Sequence, residues 1–229
     1  MLQNWNICSK KPASLLPHQL LGQTPRWSFY AVRQASTMGE PTAPSAAEVA
    51  ETLATALDNA GCEYAIGGAL ALGCWTTPRG TVDVDVTLFL PPERIDEYLD
   101  TLQSIGAEFS WIDAQQQLKT HGYCRITYQG RVLDVFQPIA EFYATAKSRR
   151  VEVPFKHRSI SVWDAATLCV FKMMFFRRKD LADVEQLLRT QGSALDTEWV
   201  SQQVIAMFGQ NDPRTGTWQQ IVDEVSGEE

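Results

Sequence analysis

The chain has 229 residues and a formal net charge of −7, with 45% hydrophobic and 21% charged residues. This balance is typical of a folded globular protein and excludes wholesale disorder, collagen and low-complexity arrays. An acidic chain is also a poor general nucleic-acid binder. No stretch approaches the roughly 18 apolar residues of a membrane span, so we expect no membrane partner.

The cysteines do not form a recognisable pattern. Their number is odd and none belongs to a C-x-x-C pair, which argues against a disulfide framework or a zinc site. We therefore expect a reducing compartment and a cytoplasmic location. The five positions are Cys8, Cys62, Cys74, Cys124 and Cys169.

The N-terminal segment differs in charge from the rest of the chain. The first acidic residue is Glu40, and residues 1–37 contain four basic side chains, so the remainder carries 16 basic and 27 acidic ones. Three interpretations are open: a disordered tail, a transit-like segment, or translated upstream sequence with the true start at Met38. We expect residues 1–44 to be an extension that is disordered or wrongly assigned to the protein.

The organised chain begins near Ser45, which has capping-box spacing with Glu48. Apolar residues recur at helical intervals from there to Gly61, which predicts a helix. The following patterns predict a short strand, a glycine turn opening a short helix, a valine-rich strand and an amphipathic helix. These elements fall at residues 63–66, 67–74, 81–90 and 95–105.

Two strand-like runs, residues 123–128 and 131–136, are separated by Gln129-Gly130, which predicts a tight hairpin. Residues 139–160 are mixed and basic. A long helix is predicted from Ser161 to about Gln191, and a last one at residues 197–208. This order predicts an α+β fold, with a core at residues 45–138 and a mainly helical part at residues 139–229 packed on it.

Asp83 and Asp85 are the most informative residues. They are two residues apart in a predicted strand, so their side chains leave the same face of the sheet at a separation of roughly 6–7 Å. The alternating valines, Val82, Val84 and Val86, are expected to point into the core. Adjacent carboxylates repel unless a cation neutralises them, and oxygen ligands of this kind suit Mg²⁺. The alternative is a solvated sheet face.

Asp134 is a lone carboxylate in the apolar strand at residues 131–136. If this hairpin lies beside the strand of Asp83 and Asp85, three carboxylates converge. Such a triad can hold two metal ions about 3.5–4 Å apart for phosphoryl or nucleotidyl transfer.

Other charged and glycine residues add to this pattern. Gly67-Gly68, between a strand and a helix, offers backbone amides to a phosphate, or is a simple tight turn. Arg79 is predicted to contact phosphate or to pair with Asp83 or Asp85. On an unbroken helix, Lys172, Lys179 and Asp183 share a narrow sector, either facing a cleft or forming a solvated face with a Lys179–Asp183 pair.

These motifs, in this order, resemble the nucleotidyltransferase superfamily of the DNA polymerase β type, and within it the AbiEii-type toxin and related small bacterial nucleotidyltransferases. The resemblance covers about residues 46–192. One departure is Gly68, where many relatives have serine and so a hydroxyl for the phosphate. The matching residues are Gly67, Gly68, Arg79, Thr81, Asp83, Asp85, Asp134, Lys172, Arg177, Lys179, Asp180 and Asp183.

The resemblance implies a mixed β-sheet flanked by helices, and Mg²⁺-dependent transfer of a nucleoside monophosphate from a nucleoside triphosphate to an acceptor hydroxyl. The acceptor would be an RNA, a protein or a small molecule, and an antitoxin would be a further partner if the protein is a toxin. The alternative is an inactive nucleotide-binding or protein-interaction module. Asp83, Asp85 and Asp134 would be catalytic and bind Mg²⁺, and the nucleotide would be bound by Gly67, Gly68, Arg79, Lys172 and Lys179.

Overall fold

The computed structural model describes residues 43–227. The expectations for the N-terminal extension, including a start at Met38, concern residues outside this part of the chain. Within it, six strands form one mixed sheet in the order β3-β4-β2-β1-β6-β5. The strands are β1 (Tyr64–Ile66), β2 (Asp83–Leu88), β3 (Tyr123–Tyr128), β4 (Arg131–Phe136), β5 (Arg150–Phe155) and β6 (Arg158–Trp163).

Helices flank this sheet, which confirms the predicted α+β class. Helix α1 packs on β1, β2 and β6, whereas α6 to α9 pack mainly on one another. Within residues 43–227 no helix combines the length and the apolar character needed to cross a bilayer. The helices are α1 (Ala46–Asn59), α2 (Gly68–Trp75), α3 (Ile95–Ser104), α4 (Trp111–His121), α5 (Phe142–Lys147), α6 (Ala165–Phe175), α7 (Arg178–Gln191), α8 (Thr197–Phe208) and α9 (Pro213–Ser226).

The start of α1 confirms the predicted capping box. The backbone N–H of Glu48 donates to the Ser45 hydroxyl, and the Glu48 carboxylate accepts from the backbone N–H of Ser45. Leu53 and Leu57, on the inner face of the helix, are fully buried. Local capping and apolar periodicity therefore agree at this element.

The predicted hairpin is also confirmed, because β3 and β4 pair antiparallel around Gln129-Gly130. Both turn residues have positive φ, 50° and 74°, as a two-residue hairpin turn of this hand requires. Strand β4 also pairs with β2, in parallel. The hairpin therefore lies beside the strand that carries Asp83 and Asp85.

Residues 139–163 differ from the sequence-based expectation. They form α5 and the hairpin of β5 and β6, and β6 pairs in parallel with β1. Strand β5 is at the edge of the sheet and contains Pro154, an arrangement that edge strands tolerate. Two strands thus lie in a segment expected to be mainly helical, while the division at residue 138 stays a prediction.

The long helix predicted from Ser161 to Gln191 is wrong in two respects. Ser161 belongs to β6, and the helix begins after Asp164, whose side chain accepts from the backbone N–H of Thr167 at 2.8 Å. The helix is then broken at Phe176, which has the left-handed φ of 53°. Two helices, α6 and α7, result, so angles calculated for an unbroken helix do not apply.

Candidate active site

The register of β2 and β4 places the three predicted carboxylates on one face of the sheet. Asp85 is the direct partner of Asp134 in this parallel pairing. Paired residues of neighbouring strands point to the same side, and Asp83 shares that side because it is two residues from Asp85. On the other side Val84 and Leu133 are fully buried.

The valine prediction is wrong at one position. Val82 precedes β2 and is 67% exposed, because the strand begins only at Asp83. Val84 and Val86 are buried as expected. The first buried valine of this strand is therefore Val84, two residues later than the alternating pattern indicates.

Asp85 lies in an environment that disfavours its charge. Burial, and then the charges of Asp83 and Asp134, raise the pKa of Asp85 to about 6, while Lys172 and Arg177 oppose the shift. Mutual repulsion among carboxylates on one face has this effect. Asp83 has a local partner, since the Thr81 hydroxyl donates to its carboxylate.

The glycine turn lies against Asp85. The backbone N–H of Gly67 donates to the carbonyl of Asp85 at 2.9 Å, and Gly67 caps α2 without a side-chain hydrogen bond. Gly68 has a φ of +55°, and a Cβ there would lie 1.8 Å from Oδ2 of Asp85. Glycine at position 68, where the resemblance leads one to expect serine, is therefore required by the carboxylate beside it. The first amides of α2 precede any intrahelical partner and are available to an anion.

Arg125 is a residue of this site that the sequence analysis missed. It lies opposite Asp134 in the β3–β4 pairing and binds the carboxylate in bidentate fashion, with Nε–Oδ1 and Nη2–Oδ2 distances both of 2.7 Å. The signal was present in the sequence. A two-residue turn at Gln129-Gly130 fixes Arg125 opposite Asp134 as soon as the hairpin is predicted.

The predicted cations of the C-terminal helices lie in different surroundings. Nζ of Lys172 is buried and binds Asp183 at 2.6 Å and Asp180 at 3.4 Å. Arg79 binds the same Asp183 with two hydrogen bonds of 3.0 and 3.1 Å, so its predicted pairing with Asp83 or Asp85 is wrong. Lys179 is exposed on α7.

This charged network connects to the carboxylate face through two of its members. Asp183 uses Arg79 and Lys172 as partners, in place of the Lys179 pair expected for a continuous helix. Arg177, half of whose side chain is exposed, binds Asp180 at 2.5 Å. Lys172 and Arg177, at the junction of α6 and α7, both act electrostatically on Asp85 and lower its pKa.

The three carboxylates suit a divalent cation by chemistry and by charge. Carboxylate oxygens are the ligands that Mg²⁺ prefers, and a cation would relieve the repulsion that, after burial, raises the pKa of Asp85. Within residues 43–227, however, no three His, Cys, Asp or Glu side chains already surround one point as a metal cluster. In this arrangement Asp83 accepts from the Thr81 hydroxyl and Asp134 from Arg125.

Comparison with known proteins supports the class of fold. No protein-family model matches the chain, and no curated protein sequence matches it. The similarity to solved structures concerns the fold. A crystal structure of ANT(2'')-Ia in complex with adenylyl-2''-tobramycin matches with a TM-score of 0.50 and 16% identity, over 72% of this chain and 98% of that chain.

Two further solved structures are similar at lower scores. The solution structure of the antibiotic-resistance factor ANT(2'')-Ia gives a TM-score of 0.49 at 14% identity, over 80% of this chain and 97% of that one. The lincosamide antibiotic adenylyltransferase LnuA, bound to lincomycin, gives 0.44 at 12% identity, over 61% and 94%. These likenesses concern the fold and not the AbiEii-type group.

Proposed function

We propose that the protein is a nucleotidyltransferase that moves a nucleoside monophosphate from a nucleoside triphosphate to an acceptor hydroxyl, with Mg²⁺. The observation that carries this proposal is the shared face of Asp83, Asp85 and Asp134, next to the glycine turn at the start of α2. The fold, which nucleotidyltransferases share, supports it.

In the proposed reaction, the acceptor hydroxyl oxygen forms a bond to the α-phosphorus, and the bond from that phosphorus to the pyrophosphate oxygen breaks. Pyrophosphate leaves with the electron pair, and the hydroxyl proton passes to a carboxylate or to water. Asp83, Asp85 and Asp134 would hold Mg²⁺, which supplies charge neutralisation on the phosphates. The backbone N–H of Gly67 is already used by the carbonyl of Asp85, so the amides from Gly68 onward would orient the triphosphate, which is most of what this chemistry needs.

Cations near the carboxylates have different proposed roles. Arg177 is exposed and its charge acts on Asp85, so it is a better candidate for a phosphate contact than the buried Lys172. Lys172 would act by holding Asp180 and Asp183 in place. Lys179 and Arg79 remain candidate phosphate contacts from the family resemblance.

The acceptor is a finer part of the proposal. The similar structure of ANT(2'')-Ia is a complex with adenylyl-2''-tobramycin, which supports a small hydroxylated molecule as the first acceptor class to test. RNA and protein acceptors follow from the AbiEii-type resemblance. The most specific form of the proposed function is a toxin with an antitoxin partner. Induced expression in a bacterial host would then arrest growth, and expression of the Asp85→Asn variant would not.

The test is transfer of label from α-³²P nucleoside triphosphates, with Mg²⁺, to cell extract and to a panel of hydroxylated small molecules. We expect Asp83→Asn, Asp85→Asn and Asp134→Asn each to lower the rate by about 10²-fold or more, the scale of losing one electrostatic stabiliser of a transition state. Asp100→Asn, an exposed aspartate on α3, is the matched control.

The outcomes separate the two functions considered for this fold. Transfer that survives all three substitutions would reject the site. Nucleotide binding without transfer to any acceptor, by the wild type and the variants alike, would support the inactive module, which the occupied carboxylate of Asp134 specifically favours.

A further inference from the structure

The ion pair of Arg125 and Asp134 combines a buried carboxylate with an exposed cation. The side chain of Asp134 is 8% exposed, whereas that of Arg125 is 61% exposed. Asp134 is therefore confined by the sheet, and most of the Arg125 side chain is free to leave. Both carboxylate oxygens accept from the guanidinium, the strongest geometry available to such a pair.

The backbone of Arg125 is held independently of this ion pair. Strand β3 is at the edge of the sheet, and the backbone N–H of Arg125 donates to Oε1 of Gln117 at 3.0 Å. The strand is also paired with β4 along its length. The guanidinium can therefore be released without moving the strand.

A cavity of about 230 Å³ provides a place for the released side chain. Arg125 itself lines it, together with two exposed carboxylates, Glu108 and Asp113, and Gln117. These acidic groups give a guanidinium alternative partners on the side away from Asp85. The cavity therefore offers the side chain a second position besides the one on Asp134.

We propose that Arg125 is a positioning residue that competes with the divalent cation for Asp134. This inference rests on the proposed function. With Arg125 in place, two of the three carboxylates are open to a cation and the third is neutralised. Loading of the full site requires the guanidinium to turn away, so the metal affinity of the free protein is set partly by Arg125.

The test measures binding of Mn²⁺, a probe for Mg²⁺, to the full-length protein without nucleotide, by electron paramagnetic resonance of the free ion. We expect Arg125→Met to bind Mn²⁺ about tenfold more tightly than the wild type. Arg125→Lys, which keeps the charge but loses the bidentate geometry, is expected to fall between the two.

Two control variants separate the ion pair from general charge effects. Arg177→Met removes the same charge beside Asp85 without touching Asp134, and Arg94→Met removes an exposed arginine that pairs with Glu97 on α3. We expect a smaller gain for the first and no change for the second. Equal gains for Arg125→Met and Arg177→Met would overturn the competition.

The same experiment distinguishes this inference from the proposed function. Mn²⁺ binding that Asp85→Asn abolishes and Arg125→Met leaves unchanged would reject the competition and keep the metal site. No Mn²⁺ binding by any variant would reject the competition, whereas the label-transfer assay decides the proposed function independently. Thermal unfolding of each variant identifies those that fail to fold, and Arg125→Lys then carries the comparison.

Discussion

Gly68 leaves open the space that the carboxylate of Asp85 occupies. A Cβ at position 68 would lie 1.8 Å from Oδ2 and 2.6 Å from Cγ of Asp85, and the φ of +55° also disfavours any side chain. The glycine turn and the carboxylate of Asp85 therefore pack against each other, and only glycine at position 68 allows this contact.

Substitution of Gly68 is predicted to displace Asp85. We expect Gly68→Ala to lower the rate of label transfer by about 10²-fold, the effect of moving a catalytic group by about 1 Å. Gly80→Ala is the control, because a Cβ there meets nothing within 4 Å. Wild-type transfer by Gly68→Ala would contradict the fit described here.

Arg177 is predicted to contribute to nucleotide binding. Its side chain is half exposed and its charge lowers the pKa of Asp85, and we expect the guanidinium to contact a triphosphate bound at the carboxylates. We expect Arg177→Gln to raise KM for the nucleoside triphosphate about tenfold, as for loss of one charged hydrogen bond. Arg178→Gln, the exposed neighbour on α7, should leave KM unchanged, and equal effects of the two would argue against a specific contact.

The buried ion cluster of Lys172 is predicted to be essential for stability. Removing Lys172 leaves Asp180 and Asp183 buried with less compensating charge, so Lys172→Met should lower the free energy of unfolding by about 3–5 kcal/mol. Arg94→Gln breaks an exposed pair and should cost at most about 1 kcal/mol. Denaturant unfolding measures both, and similar losses would show that the buried cluster is no more important than a surface pair.

The capping box of α1 is predicted to make stability depend on pH. The backbone N–H of Ser45 is the main cause that lowers the pKa of Glu48 from 4.5 to about 2, followed by the Ser45 hydroxyl and Lys156. Because the pKa is lower in the folded state, the stabilisation is complete above pH 4.5 and is lost as the pH falls towards 2.

The wild type and Glu48→Ala should therefore differ in free energy of unfolding at pH 7 and converge near pH 2. Glu93→Ala, which removes an exposed glutamate outside the box, serves as the control. A difference between wild type and Glu48→Ala that is constant over this range would show that the carboxylate charge has no part in the cap.

Local patterns in the sequence were sufficient for much of the fold near the site. The turn at Gln129-Gly130 predicted the hairpin, and the valine alternation predicted the strand of Asp83 and Asp85. Convergence of the three carboxylates depended on the hairpin lying beside β2, which the sequence could not predict because no local pattern determines which strands become neighbours. The parallel pairing of Asp85 with Asp134 fulfils it.

The helical half of the site was harder to predict for a physical reason. Phe176 adopts a left-handed φ of 53°, which its side chain disfavours, so no local signal marks the break between α6 and α7. Tertiary packing determines it. The same break brings Lys172 to Asp180 and Asp183, which an unbroken helix would have spread along its surface.

The parallel register of β2 and β4 has a consequence for how this protein can vary. A slip of one residue would turn Asp134 towards the apolar core and would turn Leu133 and Val135, both fully buried, onto the carboxylate face. Burial of the apolar residues between the aspartates therefore fixes the strand register that aligns the carboxylates. Substitution of one apolar residue by another at positions 133 and 135 would preserve the alignment. A polar residue there would misalign the three carboxylates, although none of them had been changed.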